Sequence, residues 1–242
     1  MSLSYHIKGL TSCRILKGVC EKEGFNVKKN YVVRWSVYLI GLLLMALGIT
    51  LTIKGNYLGV GPWDVLHVAL FQLFGLTIGT WSILVGFLLI LVVFVIERRI
   101  PLLGTWLNIL LIGAFIDIYN WLLPDPESVV VQTIVFVLGV IVMGIGAGTY
   151  VAARVGAGPR DSIMMMLVAK TGAKVKTVRT AMEMGVVLLG WLLGGPVGVG
   201  TLLIAFGLGQ LVHYTLPAVE KLIEKLSGEP FDVKVKAKPV IK

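Results

Sequence analysis

The sequence predicts an all-α polytopic membrane protein, with six transmembrane helices plus two short re-entrant helices in a 3+3 inverted repeat. Three observations predict it. The chain is 57% apolar and only 14% charged, with a mean hydropathy of +0.90, against about a quarter charged in soluble domains. The hexapeptide Gly59-Val60-Gly61-Pro62-Trp63-Asp64 returns 97 residues later as Gly156-Ala157-Gly158-Pro159-Arg160-Asp161. The lysines and arginines sort to one side of the membrane only if the two copies are mutually upside down.

The first thirty residues are polar and basic (Lys8, Arg14, Lys17, Lys22, Lys28, Lys29). No cleavable signal pattern precedes the first apolar run, which is too long for a signal h-region and reads as a retained span. Residues 1–33 are therefore expected to form a basic cytoplasmic segment. Cys13 and Cys20 lie seven apart in it. A redox or metal pair is one reading, but two thiols complete no zinc site, and reduced spectators are the other.

Apolar windows give six full-length spans, roughly 34–54, 80–97, 104–123, 130–152, 178–195 and 200–219. Two segments remain, 62–74 and 159–171, each opening at the hexapeptide's proline and stopped by Gly75 or Gly172. Thirteen residues make a helix of about 20 Å, short of a hydrocarbon core of about 30 Å. The repeat extends beyond the hexapeptides: Gly41-x3-Met45-x2-Gly48 returns as Gly139-x3-Met143-x2-Gly146, and Gly104-Thr105 as Gly200-Thr201. The chain divides into membrane repeat 1 (34–124), membrane repeat 2 (130–217) and a basic cytoplasmic tail (220–242).

If the short helices do not cross and the N-terminus is cytoplasmic, every one of the 22 basic residues except Lys54 faces the cytoplasm. The acidic turn Asp125-Pro126-Glu127 and the bare turn Gly194-Gly195-Pro196 then lie outside. If the short helices crossed, Lys54, Arg98, Arg99, Arg154 and Arg160 would be outside. Three crossings per half is odd, so the halves are inverted, a recurrent plan of transporters and channels.

The stretch Ile53-Lys54-Gly55-Asn56-Tyr57-Leu58-Gly59-Val60-Gly61-Pro62-Trp63-Asp64, then Thr77-Ile78-Gly79-Thr80-Trp81 and Gly104-Thr105 through Ile112-Gly113-x3-Asp117, resembles the bacterial membrane proteins grouped as YczE/YitT. The resemblance covers about residues 34–218. It implies a multi-pass bacterial inner-membrane protein whose family has no assigned activity.

Among candidate site residues, Asp64 and Asp161 come first. Each lies two residues after a proline at the first helical position, in a first turn where unpaired amides and the helix dipole favour a carboxylate. That is a sufficient structural reason for the pair. The functional alternative is a cation or proton site where two half-helix ends meet. Gly59, Gly61 and Pro62, with Gly156, Gly158 and Pro159, would let the backbone turn sharply beside a solute or a neighbouring helix. His67 shares the Asp64 face, as a packing residue or a site member. Asp117 and His213 fall at equivalent positions near helix ends, where a proton-handling pair competes with interfacial hydrogen bonding. Glu183 is expected to pair with Arg179 at i, i+4.

Arg160, Lys170, Lys174, Lys176 and Arg179 form a basic collar, read as topology signal and lipid headgroup contact or as an anion-attracting vestibule. Met164, Met165 and Met166 read as packing, and the tryptophans near helix ends as an aromatic belt.

No nucleophile with a base, metal-ligand cluster or phosphate loop appears, so neither enzyme nor cofactor is expected. Nucleic-acid binding is disfavoured because topology accounts for the net charge of +9. The expected partners are the lipid bilayer, a small solute or ion, and a second copy or another membrane protein. The leading expectation is an inner-membrane transporter or channel with both termini cytoplasmic. The alternative is a non-transporting accessory or regulatory protein acting on a partner complex.

Overall fold

A computed structural model of the chain describes residues 17–98 and 100–228, with side chains from residue 30 onward. Eight α-helices follow in order: α1 (Lys17–Lys54), α2 (Pro62–Phe74), α3 (Ile78–Glu97), α4 (Leu103–Leu122), α5 (Val129–Ala153), α6 (Pro159–Thr171), α7 (Val175–Leu192) and α8 (Val199–Ser227). A single 3-10 turn, Asn56–Leu58, joins α1 to α2, and no strand occurs among the described residues. The reading of Cys13 with Cys20 and the sequence after residue 228 lie outside the described side chains.

Five helices are long and apolar enough to cross a membrane: 30–54 of α1, then α3, α4, α5 and α8. The sixth expected span, α7, is not among them, because Lys176, Arg179 and Glu183 interrupt its 18 residues. Both short helices occupy the expected residues, α2 and α6 running thirteen residues each. Proline opens each one, its missing N–H falling among amides that have no intrahelical acceptor. Glycine closes each at positive φ, +74° at Gly75 and +68° at Gly172, donating to Phe71 O and Val168 O respectively. α8 runs past the expected end at 219 despite Pro217. Ile223, fully buried, anchors the added turns, and Glu220 accepts a hydrogen bond from Arg154 at 2.9 Å.

The core is the seam between α1 and α5, and glycines set it. A Cβ at Gly41 would meet the Tyr150 backbone, one at Gly48 that of Met143, one at Gly146 that of Met45, and one at Gly139 that of Thr52. As the α1 numbers rise the α5 numbers fall, so the two helices run antiparallel in small-residue contact. α4 packs parallel to α1: Tyr38 donates to Gly104 O and, twelve residues on, Thr50 donates to Ile116 O. α8 packs parallel to α5 through Gly144 on Leu211 and Gly148 on Thr215.

Two further contacts cross between the halves. α7 packs on α2, where Gly190 meets Leu66, and α3 packs on α6, where Gly86 meets Pro159. The large exposed side chains, such as Leu88, Leu91, Ile134, Leu203 and Phe206, form the apolar outside that a bilayer requires.

Candidate functional site

Because α2 and α6 each start at the repeated Gly-Pro step and pack across onto the other half, their N-termini open onto one internal cavity of about 170 Å³. Gly61, Pro62 and Asp64 line it from one side, and Gly158, Pro159 and Asp161 from the other. The remaining walls come from α1, α3, α4, α5, α7 and α8, including Ile49, Gly86, Ile112, Met143, Met182 and Ile204. Charged and apolar side chains both line the cavity.

Among the charged residues Asp64 is 2% exposed, a burial that a carboxylate survives only with partners. His67 Nδ1, one helical turn on, lies 3.3 Å from Asp64 Oδ1. The Arg160 guanidinium, from the other hexapeptide, approaches the same oxygen to 3.9 Å. It also lies over the Trp63 ring, 5.0 Å from its centroid, a favourable cation–π geometry. Asp161 accepts a hydrogen bond from the Tyr150 hydroxyl at 2.9 Å. On α7, Arg179 donates to Glu183 at 3.0 Å, the expected i, i+4 pair, and both line the cavity.

Asn108 of α4, 3% exposed, is the one buried side chain among the described residues with a polar atom lacking a hydrogen-bond partner, its Nδ2. The Tyr38 hydroxyl beside it donates to Gly104 O, which leaves the lone pairs of that oxygen to accept from the Asn108 amide.

Of the residues singled out from sequence, Gly61, Pro62, Asp64, His67, Gly158, Pro159 and Asp161 meet at this cavity. Gly59 and Gly156 do not line it. A Cβ at Gly59 (φ +96°) would strike Gly198 and Thr201, and one at Gly156 would strike Gly104 and Thr105. Each first glycine thus seats the start of the other half's last helix. Gly61 has a different role, since a Cβ there would lie 2.5 Å from Asp64 Oδ2.

Asp117 and His213 are not brought together. Asp117 accepts from Gly79 N at 2.8 Å and from Thr77 Oγ1 at 2.5 Å, tying α4 to the start of α3. His213 is exposed and stands edge-on to Tyr214. Of the basic collar, Arg160 and Arg179 reach the cavity, while Lys170, Lys174 and Lys176 stay exposed and outside it. Met164 lines the cavity, Met166 is buried and Met165 faces outward.

Tyr150 and Asn108 escaped the sequence reading. Asn108 carried a signal, an amide in the middle of the apolar run 104–123, where an uncompensated polar group is costly. Among the described residues no group of three or more His, Cys, Asp or Glu is arranged to hold a metal ion.

Residues 32–217 match a family model described as a family of unknown function, DUF6198. The chain is 45% identical over 197 residues to the uncharacterized membrane protein YczE of Bacillus subtilis, covering 81% of this chain and 92% of that one. It is 33% identical over 187 residues to an uncharacterized protein of Haemophilus influenzae (77% and 85% covered). It is 29% identical over 191 residues to the uncharacterized protein YyaS of Bacillus subtilis (78% and 94% covered). No solved structure matches. With five apolar spans in an all-helical fold and a relative of this length and identity, the chain is a multi-pass membrane protein that belongs to the DUF6198 family of unknown function.

Proposed function

We propose that the protein is a transporter or channel for a small solute or ion, built as a 3+3 inverted repeat in the bacterial inner membrane. The observation that carries this reading is the convergence of both hexapeptides on one charged internal cavity. Half-helix ends facing each other at membrane depth are a recurrent substrate site, and buried ionisable groups there are expensive unless they serve a function.

Helix directions support the crossing count. α1 and α5 are antiparallel, which requires an even number of crossings between them; α3 and α4 supply two, leaving none for α2. α5 and α8 are parallel, which requires one crossing between them. The 18-residue α7, about 27 Å long, fits that role better than the 13-residue α6; Arg179 and Glu183 pair with each other at the cavity, and Lys176 is exposed in its first turn. Lys54 bonding to Asp125 at 2.7 Å agrees with an outer location for both ends. The termini are then cytoplasmic by the distribution of basic residues.

Flux into liposomes containing the purified protein tests the reading. Movement of a small solute or ion that Asp64→Asn with Asp161→Asn abolishes is the expected result. An inert protein across a panel of cations, anions and small neutral solutes, with the double variant retaining the cellular phenotype, overturns it in favour of an accessory role.

A further inference from the structure

The two halves repeat in sequence but not in packing. In the first, α3 lies along α4. A Cβ at Gly113 would meet the Ile83 side chain and Gly79 O, Gly86 meets Ile109, the Phe87 and Trp106 rings are 5.7 Å apart, and Asp117 accepts from Gly79 N and Thr77. In the second, among the described residues, α7 makes no comparable interface with α8. Taking the register from Gly104 and Gly200, the α8 counterparts of Trp106, Ile109, Gly113 and Asp117 are Leu202, Ala205, Gly209 and His213, which share one side of the helix. Leu202 and His213 are exposed, and nothing lies within 4 Å of a Cβ at Gly209. A second contact is unequal in the opposite sense: α8 packs on α1, but its counterpart α4 makes no comparable contact with α5.

Gly209 has no packing role in this arrangement. A glycine inside a helix costs about 1 kcal/mol against alanine, and at Gly113 the close approach of α3 offsets that cost. At Gly209 nothing approaches. Ala205 of α8 and Met182 and Glu183 of α7 line the cavity, so the gap between these two helices adjoins it. At its far end α7 is tied to α2, with Gly190 against Leu66 and Gly195 against Val65 O.

We infer that the two halves exchange packings: in a second state α7 closes onto α8 through Gly209, as α3 closes onto α4 through Gly113 in this one, and α3 parts from α4. Inverted halves built on one pattern can take up each other's conformation at a small difference in free energy. The inference rests on the transporter reading and gives it a route, since α3 and α4 close the cavity in one state and α7 and α8 in the other. In the proposed topology the Asp117 seal is on the outer side and the open His213 end of α8 on the cytoplasmic side. Counting on from the hexapeptides, 97 residues apart, Ile83 corresponds to Thr180 and Gly79 to Lys176. Closure therefore brings Thr180 to Gly209 and Lys176 to His213.

The test uses the full-length protein in phosphatidylethanolamine and phosphatidylglycerol vesicles, with Cys13→Ser and Cys20→Ser removing the natural thiols. Two cysteine pairs are oxidised in separate samples, Thr180→Cys with Gly209→Cys and Lys176→Cys with His213→Cys. Each is expected to form a disulfide within one chain, because cross-linking traps a state that is visited only part of the time. In the cross-linked protein, amide hydrogen exchange in residues 77–86 should quicken by about tenfold or more and return on reduction, as α3 is released from α4. Gly209→Leu, at an open position, should leave the melting temperature within about 2 °C and reduce cross-linking of the 176–213 pair by about tenfold or more, because a bulky side chain blocks closure. No disulfide in either pair, disulfides only between chains, unchanged exchange in 77–86, or undiminished cross-linking in Gly209→Leu overturns the inference. Flux separates it from the broader reading. Reciprocal cross-linking and exchange without flux of any solute leaves the exchange of packings and removes the transporter, whereas flux that persists in the cross-linked protein does the reverse.

Discussion

Trp63 and Arg160 hold the same position in the two copies of the hexapeptide, and they meet each other, the guanidinium 5.0 Å from the ring centroid. The repeat is therefore least symmetric where its halves touch. Asp64 beside Trp63 and Asp161 beside Arg160 are two carboxylates with a single guanidinium between the short helices. Removing Arg160 leaves Asp64, which is 2% exposed, without its cation and with only His67 beside it. Arg160→Gln is expected to cost about 1–3 kcal/mol, discounted from the about 3–5 kcal/mol of a fully buried pair because the contact is 3.9 Å and partly open. Asp64→Asn should recover part of that loss in the double variant. A cycle of unfolding midpoints in detergent checks it, and strict additivity would deny the coupling.

The α1–α5 seam gives a steric prediction. A Cβ at Gly48 or Gly146 would collide with backbone of the partner helix, at Met143 and Met45, and backbone cannot swing aside as a side chain can. Gly48→Leu or Gly146→Leu should cost about 3 kcal/mol or more, above the usual range for overpacking, and lower the yield of folded protein. Gly185→Ala is the control, because nothing lies within 4 Å of its Cβ position. Relief of glycine's helix penalty should leave that variant unchanged or stabilised by up to about 1 kcal/mol.

Much of this arrangement was legible in the sequence because repetition reports symmetry and symmetry reports position. The thirteen-residue helices, their proline starts and glycine stops follow from local rules that no tertiary contact overrode. For Gly59 and Gly156 the sequence left a solute and a neighbouring helix as alternatives, because a glycine signals close approach without naming what approaches; only the fold shows Thr201 and Thr105 there. Asp117 and His213 were weighed as a proton pair because the repeat makes them equivalent, but equivalence is not proximity: Asp117 is tied to the start of α3, and His213 is exposed beside Tyr214. Tyr150 was invisible for another reason. Its partner Asp161 is eleven residues away across a turn, a distance no helical or strand period marks. α8 outran Pro217 because Ile223 is buried beyond it, and packing outweighs a single proline near a helix end.

Asp117 offers a way to separate scaffold from site. Its two oxygens accept from Gly79 N and Thr77 Oγ1, so it does for the start of α3 what a capping side chain does, from a neighbouring helix. Asp117→Ala is expected to destabilise the protein by about 1–2 kcal/mol, the usual range for a lost cap. Solute binding at the cavity should be unaffected at temperatures where the variant is folded. His213→Ala, at an exposed position, should change neither. A loss of binding in either variant with the fold intact would return these residues to the site.

The last prediction concerns the two turns that follow the short helices. Phe74 is 67% exposed at the end of α2, and Thr171 is exposed at the end of α6, so cysteines placed there should be tolerated. If α2 and α6 enter from opposite faces and turn back, Phe74→Cys should react with a membrane-impermeant maleimide added to intact cells. Thr171→Cys should react only after the membrane is opened. A third cysteine at Leu192, 70% exposed at the end of α7, should behave like the first if, as proposed, α7 makes the crossing between the parallel α5 and α8. Labelling of Phe74→Cys and Thr171→Cys from the same side would remove the inverted repeat. Labelling of Leu192→Cys only from the inside would remove the sixth crossing, and with it the physical reason for pairing Arg179 and Glu183 on an otherwise apolar helix.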